Sequence, residues 1–100
     1  MGKDMICNMT AKDMFWQCGY MEIPNDEDYP YITYNCVIKD EKRDGCYYMQ
    51  DITFDLSDET VFFNIDDDEL AFELNVLELQ CIMKKIEELG WKKYEFRQSN

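Results

Sequence analysis

"DITFDLSDETVFFNIDDDELAFEL", residues 51–74, alternates apolar and polar side chains in three short runs. Ile52, Phe54 and Leu56 fall on one face of the first run, and Asp51, Thr53 and Asp55 on the other. Val61, Phe63 and Ile65 give the second run an apolar face; Leu70, Phe72 and Leu74 do the same for the third. A period of two marks a strand with one face buried and the other in water. Ser57–Glu59 and Asp66–Glu69 interrupt the runs, and breaks this short join antiparallel neighbours. The same stretch holds nine carboxylates and no Lys or Arg.

Working outward, "CYYMQ" extends the first of these strands back to Cys46. "YITYNCVIK", residues 31–39, sets Ile32, Tyr34, Cys36 and Ile38 on one face. A short edge strand at Tyr20–Ile23 precedes the turn "IPNDEDYP". Two helices bracket the strands. In "MTAKDMFWQCGY", Thr10 is an N-cap with Asp13 three residues on, Met9 and Met14 take the staple positions, and Gly19 ends the helix so that Tyr20 packs back on Phe15. In "LNVLELQCIMKKIEELGW", Asn75 caps, Glu78 completes the capping box, and Leu74 staples to Leu79. Leu79, Ile82, Met83, Ile86 and Leu89 form the expected apolar stripe, with Lys84 and Lys85 opposite and Trp91 folding back past Gly90. The helices are expected over 10–18 and 75–89. The expected fold is α+β: an antiparallel four- to five-stranded meander with two helices packed on one face, in the order α-β-β-β-β-α. Residues 1–100 are expected to form one domain, with 1–8 expected loose and 92–100 expected frayed.

The totals narrow the function. Ten Lys and Arg face 22 Asp and Glu, a formal net charge of −12. Such a surface repels nucleic acid and anionic membrane and attracts basic proteins. Cys7, Cys18, Cys36, Cys46 and Cys81 are odd in number and show no C-x-x-C spacing, and the chain has no His. This pattern fits reduced thiols in a cytoplasm better than a disulfide framework or a zinc site. Cys18, Cys36 and Cys81 read as core filler, and Cys46, beside a polar turn, as the most reactive thiol. No signal peptide or membrane-length apolar run is evident.

Asp66–Glu69 lacks the bend Gly and the distant Glu of a calcium loop, since position twelve is Leu77. Without His, neither a serine triad nor the usual cysteine–imidazole pair is available. We therefore expect no enzyme, no cofactor and no metal. The charge distribution carries more. From Asp44 to Met83 there are eleven acids and no base. Same-face residues of a strand lie about 6.6–6.8 Å apart, close to the spacing of phosphates along one nucleic-acid strand. A fixed row of carboxylates can then fill a Lys- and Arg-lined groove in place of DNA. The bland account is solubility. The residues expected to bind a partner are Asp51, Asp55, Asp58, Glu59, Asp66, Asp67, Asp68 and Glu69, with Tyr31 and Tyr47 as aromatic anchors for Arg and Lys.

"TAKDMFWQCGY", "ITFDLSDETVFF" and "LNVLELQCIMKKIEELGW" resemble a family of small phage and prophage proteins of Gram-positive bacteria, over about residues 9–91. The shared features are a T-A-x-x-M-F opening helix ending in Gly-Tyr, an I-T-F-D strand and a closing helix ending in E-L-G-W. They are mostly fold determinants and supply no catalytic residues. The resemblance implies a mobile-element origin and an anti-defence role, including anti-CRISPR proteins that look like DNA to a nuclease. The expected partner is a basic host protein, such as a Cas nuclease or another nucleic-acid-binding protein, in the bacterial cytoplasm. The alternative is a non-enzymatic phage adaptor, homodimeric or docked on another phage protein, whose acidity only solubilises it.

Overall fold

The computed structural model describes residues 9–23, 28–40, 45–66 and 73–91. Two helices and four strands follow the order α1 (Ala11–Gln17), β1 (Met21–Ile23), β2 (Tyr31–Asp40), β3 (Cys46–Asp55), β4 (Thr60–Ile65) and α2 (Val76–Leu89). The strands form one antiparallel meander, ordered β1-β2-β3-β4. The α+β expectation holds, and the short edge strand is present as β1. The strand expected at 70–74 lies outside the described residues up to 72; Glu73 and Leu74 are irregular and lead into the cap of α2.

Register sorts the side chains onto two faces. Tyr34 pairs with Ile52, Ile52 with Phe63, Ile32 with Phe54, and Phe54 with Val61. These residues share the face turned to the helices. Tyr34, Ile52 and Phe54 are fully buried there, with Ala11, Phe15, Tyr20, Cys81 and Ile82 from the helices and the α1–β1 turn. Phe15 is the hub. Its ring stacks on Tyr34 at 3.9 Å between centroids and meets Tyr20 and Phe54 edge-on at 5.7 and 6.4 Å. Trp91 closes the far side of Phe54 at 6.0 Å. A seven-residue helix is not stable alone, so α1 owes its existence to this burial.

Local signals set the helix ends. Thr10 Oγ accepts from the Asp13 amide at 3.2 Å, and Gly19, at φ +92°, lets the Tyr20 amide donate to the Phe15 carbonyl at 2.9 Å. At α2 the capping box is complete: Glu78 N donates to Asn75 Oδ1 at 2.8 Å, and Asn75 N to Glu78 Oε1 at 2.9 Å. Gly90 closes the helix at φ +70°, and the Trp91 amide reaches the Ile86 carbonyl at 3.3 Å.

The buried stripe of α2 differs from the expected one. Glu78, Cys81 and Ile82 face the core, whereas Leu79 and Met83 are exposed. The cause is a polar slot that periodicity does not reveal. The Tyr20 hydroxyl donates to Glu78 Oε2 and accepts from Gln50 Nε2 at 2.6 Å, which draws Glu78 inward and turns the helix with it. Lys85 turns inward as well, beside Glu22 at 4.0 Å and Glu88 at 3.8 Å, and does not stand opposite the core. Glu22 accepts from Tyr34 Oη at 2.7 Å, and Glu88 from the Ala11 amide at 2.6 Å. Three acids thus hold the helices, β1 and β2 together.

Candidate functional site

Among the described residues, the second face of the sheet carries no helix. Pleating places Met21, Asn35, Asp51 and Asn64 in one row across it, and Ile23, Thr33, Thr53 and Phe62 in the next. Tyr31, Asp55 and Thr60 lie beyond the second row; Val37 and Met49, then Lys39 and Tyr47, lie beyond the first. The middle is tied by a Thr33–Thr53 hydroxyl pair at 3.0 Å and by Asn35 Nδ2 donating to Asp51 Oδ1. Tyr31 and Phe62 meet edge-on at 6.1 Å.

Each expected binding residue can now be placed. Asp51 and Asp55 are half-buried on this open face. Asp58 and Glu59 are exposed in the β3–β4 turn at one end of it. Tyr31 and Tyr47 are exposed on the same face, as expected, at 38% and 66%. Asp66 lies just past β4, beside Met49, on whose backbone it bonds. Asp67, Asp68 and Glu69 lie outside the described residues.

The expected unbroken row of carboxylates is not what the register produces. Asp51 and Asp55 are separated by Thr53, so they stand about 13 Å apart along the strand, twice the same-face step. Their cross-strand neighbours are the neutral Asn35, Asn64, Tyr31 and Thr60. Several acids also have local work. Asp55 Oδ1 accepts from the Ser57 and Asp58 amides at 3.0 and 3.1 Å, and Asp66 Oδ1 from the Met49 amide at 2.7 Å. Yet Lys85 pairs with Glu22 and Glu88, and no ion pair between described residues reaches Asp51, Asp55, Asp58, Glu59 or Asp66. Glu59 adopts φ +55°, a left-handed conformation in which Gly or Asn sits at less cost.

Sequence reasoning missed the apolar part of this surface. Met21, Ile23, Val37, Met49 and Phe62 are all exposed on the open face. Trp16, 66% exposed on α1, stands over the β1 edge and shares a cleft with Met21, Asn35 and Val37. β1 inverts the usual rule, since its acid Glu22 points inward and its apolar Met21 and Ile23 point out. Only the pairing of Glu22 with buried Tyr34 makes that inversion visible.

The buried polar groups serve the fold. Burial, and then the Glu78 and Glu22 carboxylates, push the Tyr20 and Tyr34 hydroxyls above the ordinary phenol range, so both stay protonated as donors. Among the described residues no group of three Cys, Asp or Glu is placed to hold a metal ion. Among them no helix is long and apolar enough to cross a membrane. Comparison with protein-family models, with curated proteins and with solved structures found no match to this chain.

Proposed function

We propose that this chain is a binding protein that lays its open sheet face on a basic, nucleic-acid-binding surface of a host defence nuclease, as an anti-CRISPR protein does. The observation that carries the reading is a set of carboxylates with no cation partner among the described residues, on and around a face that also exposes Tyr31, Tyr47 and Phe62. Exposed carboxylates attract Lys and Arg of a partner, and neighbouring rings hold those cations by their faces. Keeping an acid at the left-handed Glu59 position, where Gly would relieve strain, fits a use for that charge. With Thr53 between Asp51 and Asp55, recognition rests on clustered charge and aromatic contact and not on a phosphate-like ladder.

The test is capture from bacterial lysate at low and high salt, followed by mass spectrometry. The retained protein should be a nucleic-acid-binding protein, leave at high salt and compete with its nucleic acid. Asp51→Lys, Asp58→Lys and Glu59→Lys together avoid the turn-holding Asp55 and should weaken binding by about 100-fold or more with circular dichroism unchanged. Undiminished binding by that variant sinks the electrostatic reading.

The exposed Met21, Ile23, Val37, Met49 and Phe62 favour a second reading, an adaptor or homodimer joined through the same face. That reading requires binding indifferent to salt, or a solution mass of two chains.

A further inference from the structure

We propose that Cys18 and Cys81 form a modification site, which a two-electron oxidant of the peroxide class closes into a disulfide stapling α1 to α2. The two sulfurs lie 3.7 Å apart although the residues are 63 positions apart in sequence. Bond formation to about 2.05 Å needs a closure of under 2 Å, within reach of side-chain rotation. Cys81 is fully buried, while Cys18, just past the end of α1, is half-buried. Both line an open cleft between the helices, with Met9, Met14 and Leu77 as apolar walls. A small neutral oxidant can therefore reach Cys18 without unfolding the core.

The chemistry balances with hydrogen peroxide. The Cys18 thiolate attacks one peroxide oxygen, the O–O bond breaks, and hydroxide leaves a sulfenic acid on Cys18. The Cys81 sulfur then attacks Cys18 Sγ, the S–O bond breaks, and the Cys81 proton leaves with the oxygen as water. Overall, two thiols and one peroxide become one disulfide and two waters. Cys36 is the competitor. Its sulfur lies against Gly19, with burial, Glu78 and Cys18 all disfavouring its thiolate. Burial likewise pushes the Cys81 thiol up to about 12. The raised Cys81 thiol slows the closing step, and it also makes a poor leaving group when a reductant attacks. The site is thus a slow, durable staple and not a fast peroxide sensor.

The staple closes a long loop and constrains the unfolded chain, which raises the melting temperature by about 10 °C or more. The experiment treats folded protein carrying Cys7→Ser and Cys46→Ser, which removes the thiol outside the described residues and the exposed one, with hydrogen peroxide. Free thiols, thermal melts and tandem-mass peptide maps are then read with and without reductant. The expected result is an intramolecular Cys18–Cys81 link, two fewer free thiols and a higher, reductant-reversible melting temperature. Adding Cys18→Ser should keep a cooperative melt and remove the shift. No link, a link dominated by Cys36, or a linked protein no more stable than the reduced one overturns the proposal.

Discussion

Tyr20→Phe removes one oxygen atom and strands two buried groups. Tyr20, Gln50 and Glu78 are 1%, 6% and 9% exposed. Among the described residues every buried side-chain nitrogen and oxygen has a partner, so the slot begins fully satisfied. Without the hydroxyl, Gln50 Nε2 loses its acceptor, and Glu78 Oε2 loses a charge-assisted donor while Oε1 keeps the Asn75 amide. The lost bond to the carboxylate is worth about 1.5–3 kcal/mol, and the unpaired amide costs about 1–3 kcal/mol more. Relaxation and entry of water reduce that sum, leaving an expected loss of about 2–4 kcal/mol. A domain of this size has about 5–15 kcal/mol of stability, so the melting temperature should fall by roughly 10–25 °C. Urea unfolding at pH 7 under reducing conditions gives the number directly, with an unchanged slope if the fold is kept. A double-mutant cycle adds the mechanism. In the Tyr20→Phe background, Gln50→Leu removes the stranded donor, so the pair should cost less than the sum of the singles by about 1 kcal/mol or more. A Tyr20→Phe protein within about 0.5 kcal/mol of the parent, the range typical of a surface change, would refute the claim that this slot turns α2.

Four further outcomes are expected. Stability should fall in alkali: burial raises the Cys81 thiol to about 12 and the Tyr20 and Tyr34 phenols above their ordinary value. The folded state then holds protons that the unfolded state releases above about pH 9, so stability is full below that pH. Each such group costs at most about 1.4 kcal/mol per pH unit above it, and a urea midpoint at pH 10.5 equal to that at pH 7.5 contradicts this. Asn75→Ala, which breaks the capping box, should cost about 1 kcal/mol in the same urea assay. Gly90→Ala meets no neighbour within 4 Å, so its cost of about 1–2 kcal/mol comes from the left-handed backbone alone. Glu59→Gly relieves a left-handed conformation and should gain about 0.5–1 kcal/mol by thermal melt, while weakening binding if the acid turn contacts a partner.

Much of the architecture was legible because its signals are local. Alternation in residues 31–39, 46–56 and 60–65 marked three strands, and Thr10, Gly19, Asn75, Glu78 and Gly90 punctuated both helices within a residue or two. The exposure of Tyr31 and Tyr47 followed from the same parity. Other features were not local. The inward turn of Glu78 and Lys85 depends on Tyr20, Gln50 and Glu22, which come from other elements. The nearness of Cys18 to Cys81 depends on how two helices cross the sheet. Trp16 lies in a helix of seven residues, too short for periodicity to give it a face.

The amino-acid order alone determined the period of each segment, the places where helices begin and end, and the excess of negative charge, because each of these is set by neighbours a few residues away. Tertiary structure alone decided which acids became fasteners and which stayed at the surface. Asp51 and Glu78 are the same chemical type, yet one lies half-buried on the sheet face away from the two helices and the other in a slot made by residues 28 and 58 positions away. A carboxylate's role depends on the donors and water around it, and the fold brings those from distant parts of the chain.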